Sequence, residues 1–381
     1  MPTKVMKYNI GQIVKVKEGF SVFVPYPFPP KGGIKLSQKI LLRTAEADRL
    51  VGKLDGITHT LPDLEFFLSM FVAKDATSSA QIEGTKATIV DAIEMSAGVA
   101  TKKTDADDIL FYIKALNYGA ERLKSFPLSL RLIKEIHSQL MTGARSSHFA
   151  DPGEFRKSQN WIGGTNPSNA FYVPLSMIEM YKALDDFEKF MREEKETLPL
   201  VHIALMHAQF ETIHPFLDGN GRTGRLLVSM LLCHRNLLER PVLFLSSYFK
   251  KNQKVYYGKL HGYHDGNVEE WLDFFMDGVI EIANDSIRAS KEITKLRDDD
   301  MTKILSLSKR ESESGVLVLR KLYAQPIIST RVIMEWTGFT RAGAQKLIDR
   351  FIMLEILELK EEKVSYDRTY IYKKYVDIFS D

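Results

Sequence analysis

Several features that are common in proteins are scarce in this 381-residue sequence, and each scarcity excludes a class of protein. There is a single cysteine, Cys233, so no disulfide can form within the chain, and a reducing compartment is favoured. Because Cys233 lies in an apolar run, we expect it to be a buried small residue rather than a nucleophile. No apolar run approaches the length of a membrane span, and the first residues lack the apolar region of a signal peptide. These absences predict a cytoplasmic protein without a membrane partner.

A strong charge of one sign is also missing. The 52 Lys and Arg against 49 Asp and Glu give a net charge of +3, which supports no general affinity for polyanions. With 44% hydrophobic and 27% charged residues the composition is ordinary for a globular protein, and the length allows two or three domains. Internal repeats and low-complexity tracts are absent from the sequence, so its function has to be sought in local motifs.

The densest cluster of polar chemistry is the stretch at residues 214–225, which reads HPFLDGNGRTGR. Residues 201–213 before it place apolar side chains at a helical period. Residues 226–232 after it form an apolar run that is typical of a buried helix. The stretch is therefore predicted to be a loop between two helices, and its last residues open the second helix.

The residue types in this loop suit a nucleotide phosphate. A helix start offers unpaired N–H groups and the positive end of the helix dipole, and three glycines let the backbone approach an anion closely. Asp218 is placed to hold Mg²⁺, which takes one or two carboxylates together with substrate phosphates. Arg222 and Arg225 suit forked phosphate contacts, and His214 can accept a proton near neutral pH.

Three other interpretations of this stretch compete with phosphate chemistry. Residues 219–224 match G-x-G-x-x-G, but that dinucleotide fingerprint needs a preceding strand, and a helix is predicted there. His207, Glu211 and His214 are spaced as metal ligands on one helix face, which the proline after His214 and the rest of the loop fit poorly. In the third interpretation the stretch is only a structural helix start, which would leave five charged or hydrogen-bonding side chains without a function.

The stretch resembles the signature of the Fic (filamentation induced by cAMP) family, H-P-F-x-[D/E]-G-N-G-R-x-x-R, and matches it at every specified position. The resemblance implies a mainly α fold with a Fic-type helical core. It also implies a protein adenylyltransferase (AMPylator), which moves AMP from ATP to a Ser, Thr or Tyr hydroxyl of a protein and releases pyrophosphate. His214 would be the catalytic base, and Asp218 would bind Mg²⁺ and phosphate. The other nucleotide- and phosphate-binding residues implied are Pro215, Phe216, Leu217, Gly219, Asn220, Gly221, Arg222 and Arg225.

A second motif, SAQIEG, starts at Ser79 in a helix that the periodicity predicts from residue 64 to about residue 95. By itself it indicates a helix end, with Ser79 and Glu83 as a surface pair and Gly84 as the C-cap. Beside the Fic signature it resembles the inhibitory motif of that family, [S/T]-x-x-x-E-[G/N]. The resemblance implies that Glu83 pairs with Arg225, fills the place of the ATP γ-phosphate and leaves ATP in an unproductive pose. Glu83 could also align a water against an AMP–protein bond, so a reverse deAMPylation stays open.

Two short β-prone runs, residues 161–164 and 170–174, are joined by Gly, Asn, Pro and Ser and predict a hairpin. Alone, this hairpin could be a surface decoration, but the resembling family has a β-hairpin flap here, over the active site. An exposed strand edge can pair with an extended target segment through main-chain bonds, so a target protein is the expected partner. Ile162 and Tyr172 are the candidates for lining the pocket or clamping the target.

Three further positions bear on the nucleotide. Ser247 and Tyr257 lie in segments that look like the family segments flanking the nucleoside pocket, and each is a candidate for the adenosine side that could equally be a packing residue. Gly221 stands where family members that transfer phosphate instead have a lysine. The glycine therefore favours AMP transfer.

The chain is predicted to divide into three parts. Residues 1–115 form an N-terminal helical region with the inhibitory helix, residues 116–288 the Fic catalytic core, and residues 289–381 a linker helix and a winged-helix domain of three helices and a hairpin. Residues 301–350 carry nine Lys and Arg against four Asp and Glu, so DNA binding is one interpretation of this domain. A role in protein interaction or in a homodimer is the other interpretation.

Two hypotheses stand beside AMP transfer to target proteins and to the chain itself. In one, the chain is a transcription regulator whose winged-helix domain binds DNA while the core only senses ATP. In the other, the enzyme transfers a different group, such as UMP or phosphocholine. A salt-dependent DNA shift would favour the first, and nucleotide competition would separate the second.

Overall fold

The computed structural model of the protein describes residues 7–16, 19–30, 33–59, 64–96, 106–143, 151–193, 196–360 and 368–379. Most of this chain is helical, as the sequence predicted. In the N-terminal half the helices are α1 (Gln38–Thr58), α2 (Leu64–Ile82), α3 (Ile89–Ser96), α4 (Ala106–Leu123), α5 (Leu130–Met141) and α6 (Met177–Glu193). The remaining helices are α7 (Pro199–Ile213), α8 (Asn220–His234), α9 (Ser246–Lys251), α10 (Gln253–His264), α11 (Val268–Leu305), α12 (Lys309–Leu322), α13 (Thr330–Thr337), α14 (Arg341–Met353) and α15 (Lys373–Asp377).

The lead-in segment before α1 is an antiparallel hairpin rather than only extended chain. Its strands are β1 (Gly11–Lys15) and β2 (Ser21–Pro25), and Gly11 pairs with Pro25. Phe23 of β2 is buried and stacks on the ring of His264 at 4.6 Å. The hairpin is therefore packed onto α10, next to the loop at 214–219.

The single helix predicted from residue 64 to about residue 95 is wrong, because the structure contains two helices there. Helix α2 ends just before Gly84. The φ of +92° at this glycine is a backbone conformation that residues with a Cβ rarely adopt. Thr88 and Asp91 then cap α3 reciprocally: the Thr88 N–H donates to Asp91 Oδ2 at 2.7 Å, and the Asp91 N–H donates to Thr88 Oγ1 at 3.2 Å. These local contacts divide the helix even though the helical spacing of apolar residues continues. Glu83 therefore lies just beyond the last turn of α2.

Helix α7 lies at the centre of the larger hydrophobic core. Every residue of α7 is buried except Pro199 and Glu211, and its neighbour α8 is buried over most of its length. Burial on all sides explains why α7 carries almost no polar face. The loop that joins α7 to α8 is therefore held between two helices that cannot easily shift.

The second core is built by the C-terminal part of the chain. Helices α12, α13 and α14 pack with a three-stranded antiparallel sheet, in the order β3 (Ile327–Ser329), β5 (Thr369–Ile371) and β4 (Glu358–Leu359). Residues 363–366, which the sequence analysis singled out as β-prone, lie outside the described residues. Three helices with a small sheet is the element content that the winged-helix prediction requires, and that assignment stays a prediction.

Two helices connect the cores. Helix α11 runs unbroken over 38 residues, with Trp271 buried in the first core and Ile304 buried in the second. Helix α2 carries Met70, which is buried in the second core, and Phe71, whose ring meets Phe379 edge to face at 5.0 Å. The predicted domain boundaries at 115/116 and 288/289 fall inside α4 and α11, so they are not marked by breaks in the chain and stay predictions.

Across the described residues, none of the helices combines the length and the apolar character that a membrane crossing would need.

Candidate active site

The loop between α7 and α8 begins and ends in the left-handed region of backbone space. His214 has φ +50° at the end of α7, and Gly219 has φ +77° at the start of α8. Between them, the Phe216 N–H donates to Asn220 Oδ1 at 2.8 Å, and Asn220 Nδ2 donates to the Phe216 carbonyl at 2.8 Å. The amide of Asn220 thus closes the loop on itself, which is a structural task for a residue that the sequence assigned to phosphate binding.

A buried arginine outside the motif supports the same loop. The Arg156 N–H donates to the Pro215 carbonyl at 2.8 Å, and Arg156 Nε donates to the His214 carbonyl at 3.1 Å. Its Nη2 donates to the Leu175 carbonyl at the base of the hairpin, and burial lowers the pKa of Arg156 to about 10. Asn160 Nδ2 adds a bond to the Phe216 carbonyl at 2.8 Å. The catalytic loop and the hairpin are therefore tied together through Arg156.

His137 of α5 holds the far end of the loop. Its ring stacks on Phe216 with centroids 3.7 Å apart and planes 3° apart. The Gly153 N–H donates to Nδ1 at 2.9 Å, so the ring proton is on Nε2, which donates to the Asp218 carbonyl at 3.0 Å. Burial lowers the pKa of His137 to about 4, which keeps this arrangement neutral at physiological pH.

The N-terminal end of α8 has the features that phosphate binding requires. As the first three residues of the helix, Asn220, Gly221 and Arg222 have N–H groups without a partner inside it. The Gly219 N–H is different, because it donates to Asp218 Oδ1 at 2.6 Å. Arg222 Nη2 lies 3.7 Å from Asp218 Oδ2. The cradle is thus made of Asn220, Gly221 and Arg222, whereas Gly219 is used to orient Asp218.

Asp218 has the properties of a ligand that shares a cation with a substrate. Its side chain is 43% exposed, and the Gly219 N–H fixes its orientation. The described residues contain no group of three or more acidic, His or Cys side chains that could hold a metal ion by themselves. A single oriented carboxylate fits Mg²⁺, which completes its shell with phosphate oxygens and waters.

His214 is largely buried, with a side chain that is 14% exposed, and its ring is neutral. Burial lowers the pKa of its imidazole to about 4. Its Nδ1 has no hydrogen-bond partner among the described residues and lies 4.0 Å from Glu211 Oε2. A neutral imidazole at the edge of the cradle can accept a proton at pH 7, which is what general-base chemistry needs.

Arg225 of α8 is bound by the end of α2. Arg225 Nη2 donates to Glu83 Oε1 at 2.6 Å and to the Ser79 carbonyl at 3.1 Å, and Nε donates to Ser79 Oγ at 2.9 Å. Burial disfavours the charge of Arg225, but Glu83 acts together with Tyr256 and Glu211 to raise its pKa. A Cβ on Gly221 would lie 2.5 Å from Glu83 Oε1, so the glycine is what admits Glu83 to this place.

Helix α2 has a second polar anchor that the sequence analysis missed. Asp75 of α2 is buried and accepts from Tyr112 Oη at 2.7 Å and from the Ser246 N–H at 3.0 Å. These contacts tie α2 to α4 and to the start of α9. The predicted adenosine-side residue Ser247 is the next residue of α9 and is half-buried. Tyr257 is 39% exposed on α10, and burial together with the Glu83 carboxylate raises its pKa.

The predicted hairpin is present over residues 161–173, although its pairing is brief. Ile162 and Tyr172 form an isolated antiparallel bridge, with the Ile162 N–H donating to the Tyr172 carbonyl at 2.8 Å. Tyr172 Oη donates to the Thr212 carbonyl at 2.6 Å, and its ring stacks on His264 at 4.8 Å. Tyr172 is thus fixed against α7, whereas Ile162 is 38% exposed.

The metal-ligand alternative for His207, Glu211 and His214 is not supported by the geometry. His207 Nδ1 donates to the Gly224 carbonyl at 3.1 Å, so Nε2 accepts from Tyr256 Oη at 2.8 Å. Both ring nitrogens are therefore occupied.

Four residues at the site were missed by the sequence analysis: Asp75, His137, Arg156 and Asn160. The sequence carried a signal for two of them. His137 lies on the apolar face of a predicted helix, and Arg156 comes directly after Phe155, a buried residue that follows a Pro-Gly turn. Polar side chains on an apolar face are buried only when they have partners. The partners themselves lie 16 to 171 residues away along the chain, which one sequence does not reveal.

Two regions of the chain match family models. Residues 127–232 match the Fic/DOC family, and residues 41–121 match the N-terminal region of the Fic/DOC family. The first contains the loop, most of α8 and the hairpin, and the second contains α2 with Ser79 and, just after it, Glu83. The predicted resemblance to the Fic family is confirmed, and the inhibitory role of the second motif stays a prediction.

Curated relatives carry the name protein adenylyltransferase Fic. The protein of Drosophila grimshawi is 28% identical over 249 residues, which are 63% of this chain and 46% of that protein. The protein of Drosophila erecta is 30% identical over 209 residues, which are 52% of this chain and 38% of that protein. The chain thus spans less than half the length of these relatives.

Solved structures share the fold. A Fic family protein from Desulfovibrio desulfuricans G20 superposes with a TM-score of 0.54 at 17% identity, covering 89% of this chain and 97% of that chain. A Fic domain containing signaling protein from Bacteroides thetaiotaomicron VPI-5482 superposes with a TM-score of 0.53 at 20% identity, covering 65% and 97%. The predicted mainly α fold with a Fic-type helical core is confirmed.

Proposed function

We propose that this chain, which carries the Fic/DOC domain together with the N-terminal region of that family, is a protein adenylyltransferase. It transfers AMP from ATP to a Ser, Thr or Tyr hydroxyl of a target protein, itself included, and releases pyrophosphate. The observation that carries the proposal is a buried, neutral imidazole, His214, in the same short loop as an open helix mouth. The names of the curated relatives support the reaction type.

The proposed step needs little covalent chemistry from the protein. His214 accepts the proton of the target hydroxyl while the hydroxyl oxygen attacks the α-phosphorus, and the bond from that phosphorus to the β-phosphate oxygen breaks. The N–H groups at 220–222 hold the phosphate oxygens, and Arg222 and Arg225 grip the β- and γ-phosphates. Positioning by these groups supplies most of the rate.

Asp218 is the residue that would hold Mg²⁺, because its carboxylate is oriented and half-exposed at the cradle. When bound, the ion would offset the negative charge that develops on the leaving pyrophosphate.

The pairing of Glu83 with Arg225 supports autoinhibition. Arg225 cannot grip a γ-phosphate while its guanidinium is bound to Glu83 and to Ser79. A carboxylate at that place also repels the γ-phosphate directly. In this proposal ATP binds in an unproductive pose until Glu83 leaves, and Glu83 could instead align a water for deAMPylation.

The hairpin is the proposed contact for the target protein. Trp161, Ile162 and Phe171 expose 40%, 38% and 60% of their surface on it, an apolar surface beside the catalytic loop. Tyr172 anchors the hairpin to α7, so a bound segment would be held at a fixed height over His214.

The first test replaces His214 by alanine. We expect labelling of protein by α-labelled ATP to fall by at least a hundredfold, because the base is lost, while circular dichroism stays unchanged. ATP labelled at the γ-phosphate serves as the control and should give no label, which separates AMP transfer from phosphate transfer. Undiminished α-labelling in His214→Ala would remove His214 from its role.

The second test replaces Glu83 by glycine. We expect the rate of labelling, including auto-modification, to rise by tenfold or more, because Arg225 becomes free for the γ-phosphate. Loss of preformed label from the wild-type protein but not from Glu83→Gly would identify deAMPylation. Autoinhibition by Glu83 is the wrong explanation if the variant labels no faster than the wild type.

A cytoplasmic location, a homodimer and DNA binding by residues 289–381 stay predictions. The net charge of +5 at residues 301–350 is the observation in favour of DNA. A salt-dependent gel shift that persists in His214→Ala would support it. The comparisons do not favour the alternative in which ATP is only sensed, since the curated relatives are named as transferases.

A further inference from the structure

Glu211 is a largely buried carboxylate beside the active site that lies outside both motifs. It occupies the last turn of α7, three residues before His214, and its side chain is 12% exposed. Its Oε1 has no hydrogen-bond partner in the part of the chain that the structure describes. A largely buried carboxyl group with an unpartnered oxygen destabilises the folded state, and an apolar side chain would pack better at this place. The presence of a glutamate therefore indicates a function other than packing.

The backbone around Glu211 is shaped to hold its carboxyl next to His214. A Cβ on Gly224 would lie 2.3 Å from Glu211 Oε1, so the carboxyl fills a notch that only a glycine of α8 leaves open. From that notch, Oε2 lies 4.0 Å from His214 Nδ1, and Nδ1 is itself without a hydrogen-bond partner among the described residues. The second carboxylate oxygen of Glu211 thus lies close to an unpartnered ring nitrogen of His214 but beyond hydrogen-bond distance, as is often found for catalytic pairs before substrate binds.

We propose that Glu211 is a positioning residue for His214: its ionised carboxylate accepts the proton of Nδ1, which leaves Nε2 as the acceptor of the target hydroxyl proton. This inference rests on the proposed function. In the transfer step Nε2 gains the hydroxyl proton, the ring becomes positively charged, and the carboxylate offsets that charge. A base oriented by a third group is the general logic of nucleophile activation.

The protonation state of Glu211 decides which tautomer His214 adopts. A protonated Glu211 would donate to Nδ1 and so place the ring proton on Nε2, which would block proton acceptance. Burial raises the pKa of Glu211 to about 7, Arg225 opposes that rise, and Glu83 adds to it. The base is therefore expected to become competent as pH rises through the pKa of Glu211.

Charged and titratable groups face this pair from every neighbouring element. The groups that act on Glu211, or whose own pKa Glu211 shifts, are Glu83 just after α2, Tyr172 from the hairpin, His214 from the loop, Arg225 from α8, and Tyr256 and Tyr257 from α10. His214 is further affected by the Glu211 main chain, Arg156, Glu83 and Asp218. Because Glu83 raises the pKa of Glu211, departure of Glu83 should ionise Glu211 at lower pH, and release of Arg225 would then coincide with activation of the base.

The experiment compares Glu211→Gln with its parent in the Glu83→Gly background. Glutamine keeps the volume in the Gly224 notch but has no charge. We expect kcat for auto-labelling to fall ten- to a hundredfold, with KM for ATP within twofold of the parent. The acid limb that the parent displays below about pH 7 should vanish in Glu211→Gln. Glu121→Gln, an exposed change on α4, should leave kcat and the limb unchanged.

A readout independent of activity is the tautomer of His214, measured by ¹⁵N NMR of the histidine ring and assigned with His214→Gln. We expect the proton on Nδ1 in the parent above pH 8 and a substantial population on Nε2 in Glu211→Gln. Glu211→Asp keeps the charge and should keep the parent tautomer with a lower kcat. An unchanged tautomer and an unchanged acid limb in Glu211→Gln would overturn the inference. Persistence of labelling in His214→Ala would instead overturn the proposed function.

Discussion

At the scale of single residues, burial without charge is the common property of the histidines around the loop. Burial lowers the pKa of His137 and His214 to about 4, and that of His207 and His264 to about 3. Each ring is neutral in the folded protein at pH 5, while the same ring in the unfolded chain, with a pKa near 6.5, is mostly protonated. Protonation of these rings therefore favours the unfolded chain.

The sign of the resulting pH dependence follows from proton counting. Between pH 6.5 and about 4 the unfolded chain binds more protons at these four rings, so the free energy of unfolding falls as pH falls. Each ring removes up to about 3 kcal/mol over that window, and Glu211, whose pKa is raised to about 7, partly opposes the loss because the folded state keeps its proton.

We therefore expect urea denaturation to give a free energy of unfolding several kcal/mol lower at pH 5 than at pH 7. Replacing buried His207 by glutamine should reduce the pH slope. Equal stability at pH 5 and pH 7 would contradict this account of the four rings.

At the scale of elements, the contact of α2 and Glu83 with α8 has separable parts. Glu83 supplies a charge, whereas Ser79 supplies a carbonyl and a hydroxyl to the same guanidinium. A hydrogen bond from a charged donor contributes about 1.5–3 kcal/mol net, so losing the hydroxyl alone should loosen the contact without abolishing it.

The variant Ser79→Ala should therefore label itself about tenfold faster than the wild type and more slowly than Glu83→Gly. Initial rates of auto-labelling at saturating ATP measure the difference, and Ser78→Ala on the same helix is the matched control. A rate in Ser79→Ala equal to that of the wild type would mean that the hydroxyl plays no part in inhibition.

The same helix illustrates what the sequence could and could not predict. Helical period and the motif identified α2, Glu83 and the loop, because those signals are local in the chain. The break between α2 and α3 depends on Gly84 and on a cap by Thr88 and Asp91, which compete with an apolar pattern that continues through them. The anchor of α2 through Asp75 joins residues 171 positions apart, and local patterns carry no signal at that distance.

At the scale of the whole molecule, the C-terminal core is in direct contact with α2. Met70 and Phe71 of α2 pack among its residues, Ile93 of α3 is buried there, and Lys360 forms an ion pair with Glu94. The contacts leave α2 held at one end by Arg225 and at the other by the C-terminal core.

Phe379→Ala removes the ring that meets Phe71, at a cost of about 3–5 kcal/mol for a buried phenylalanine. We expect amide hydrogen exchange in residues 68–82 to speed up, because the N-terminal half of α2 loses its support. Met353→Ala, at a side chain that is 73% exposed on α14, is the control. Unchanged exchange along α2 in Phe379→Ala would mean that the C-terminal core does not support that helix.

Helix α11 has a consequence for any partner that docks on the C-terminal region. Its 38 residues, at 1.5 Å each, make a rod of about 57 Å whose first turns lie beside α1 and whose last turns lie beside α12. An unbroken helix of this length sets the distance between a partner docked on the C-terminal region and the loop at residues 214–219. Lengthening or shortening α11 by one residue would also rotate that partner by about 100° about the helix axis.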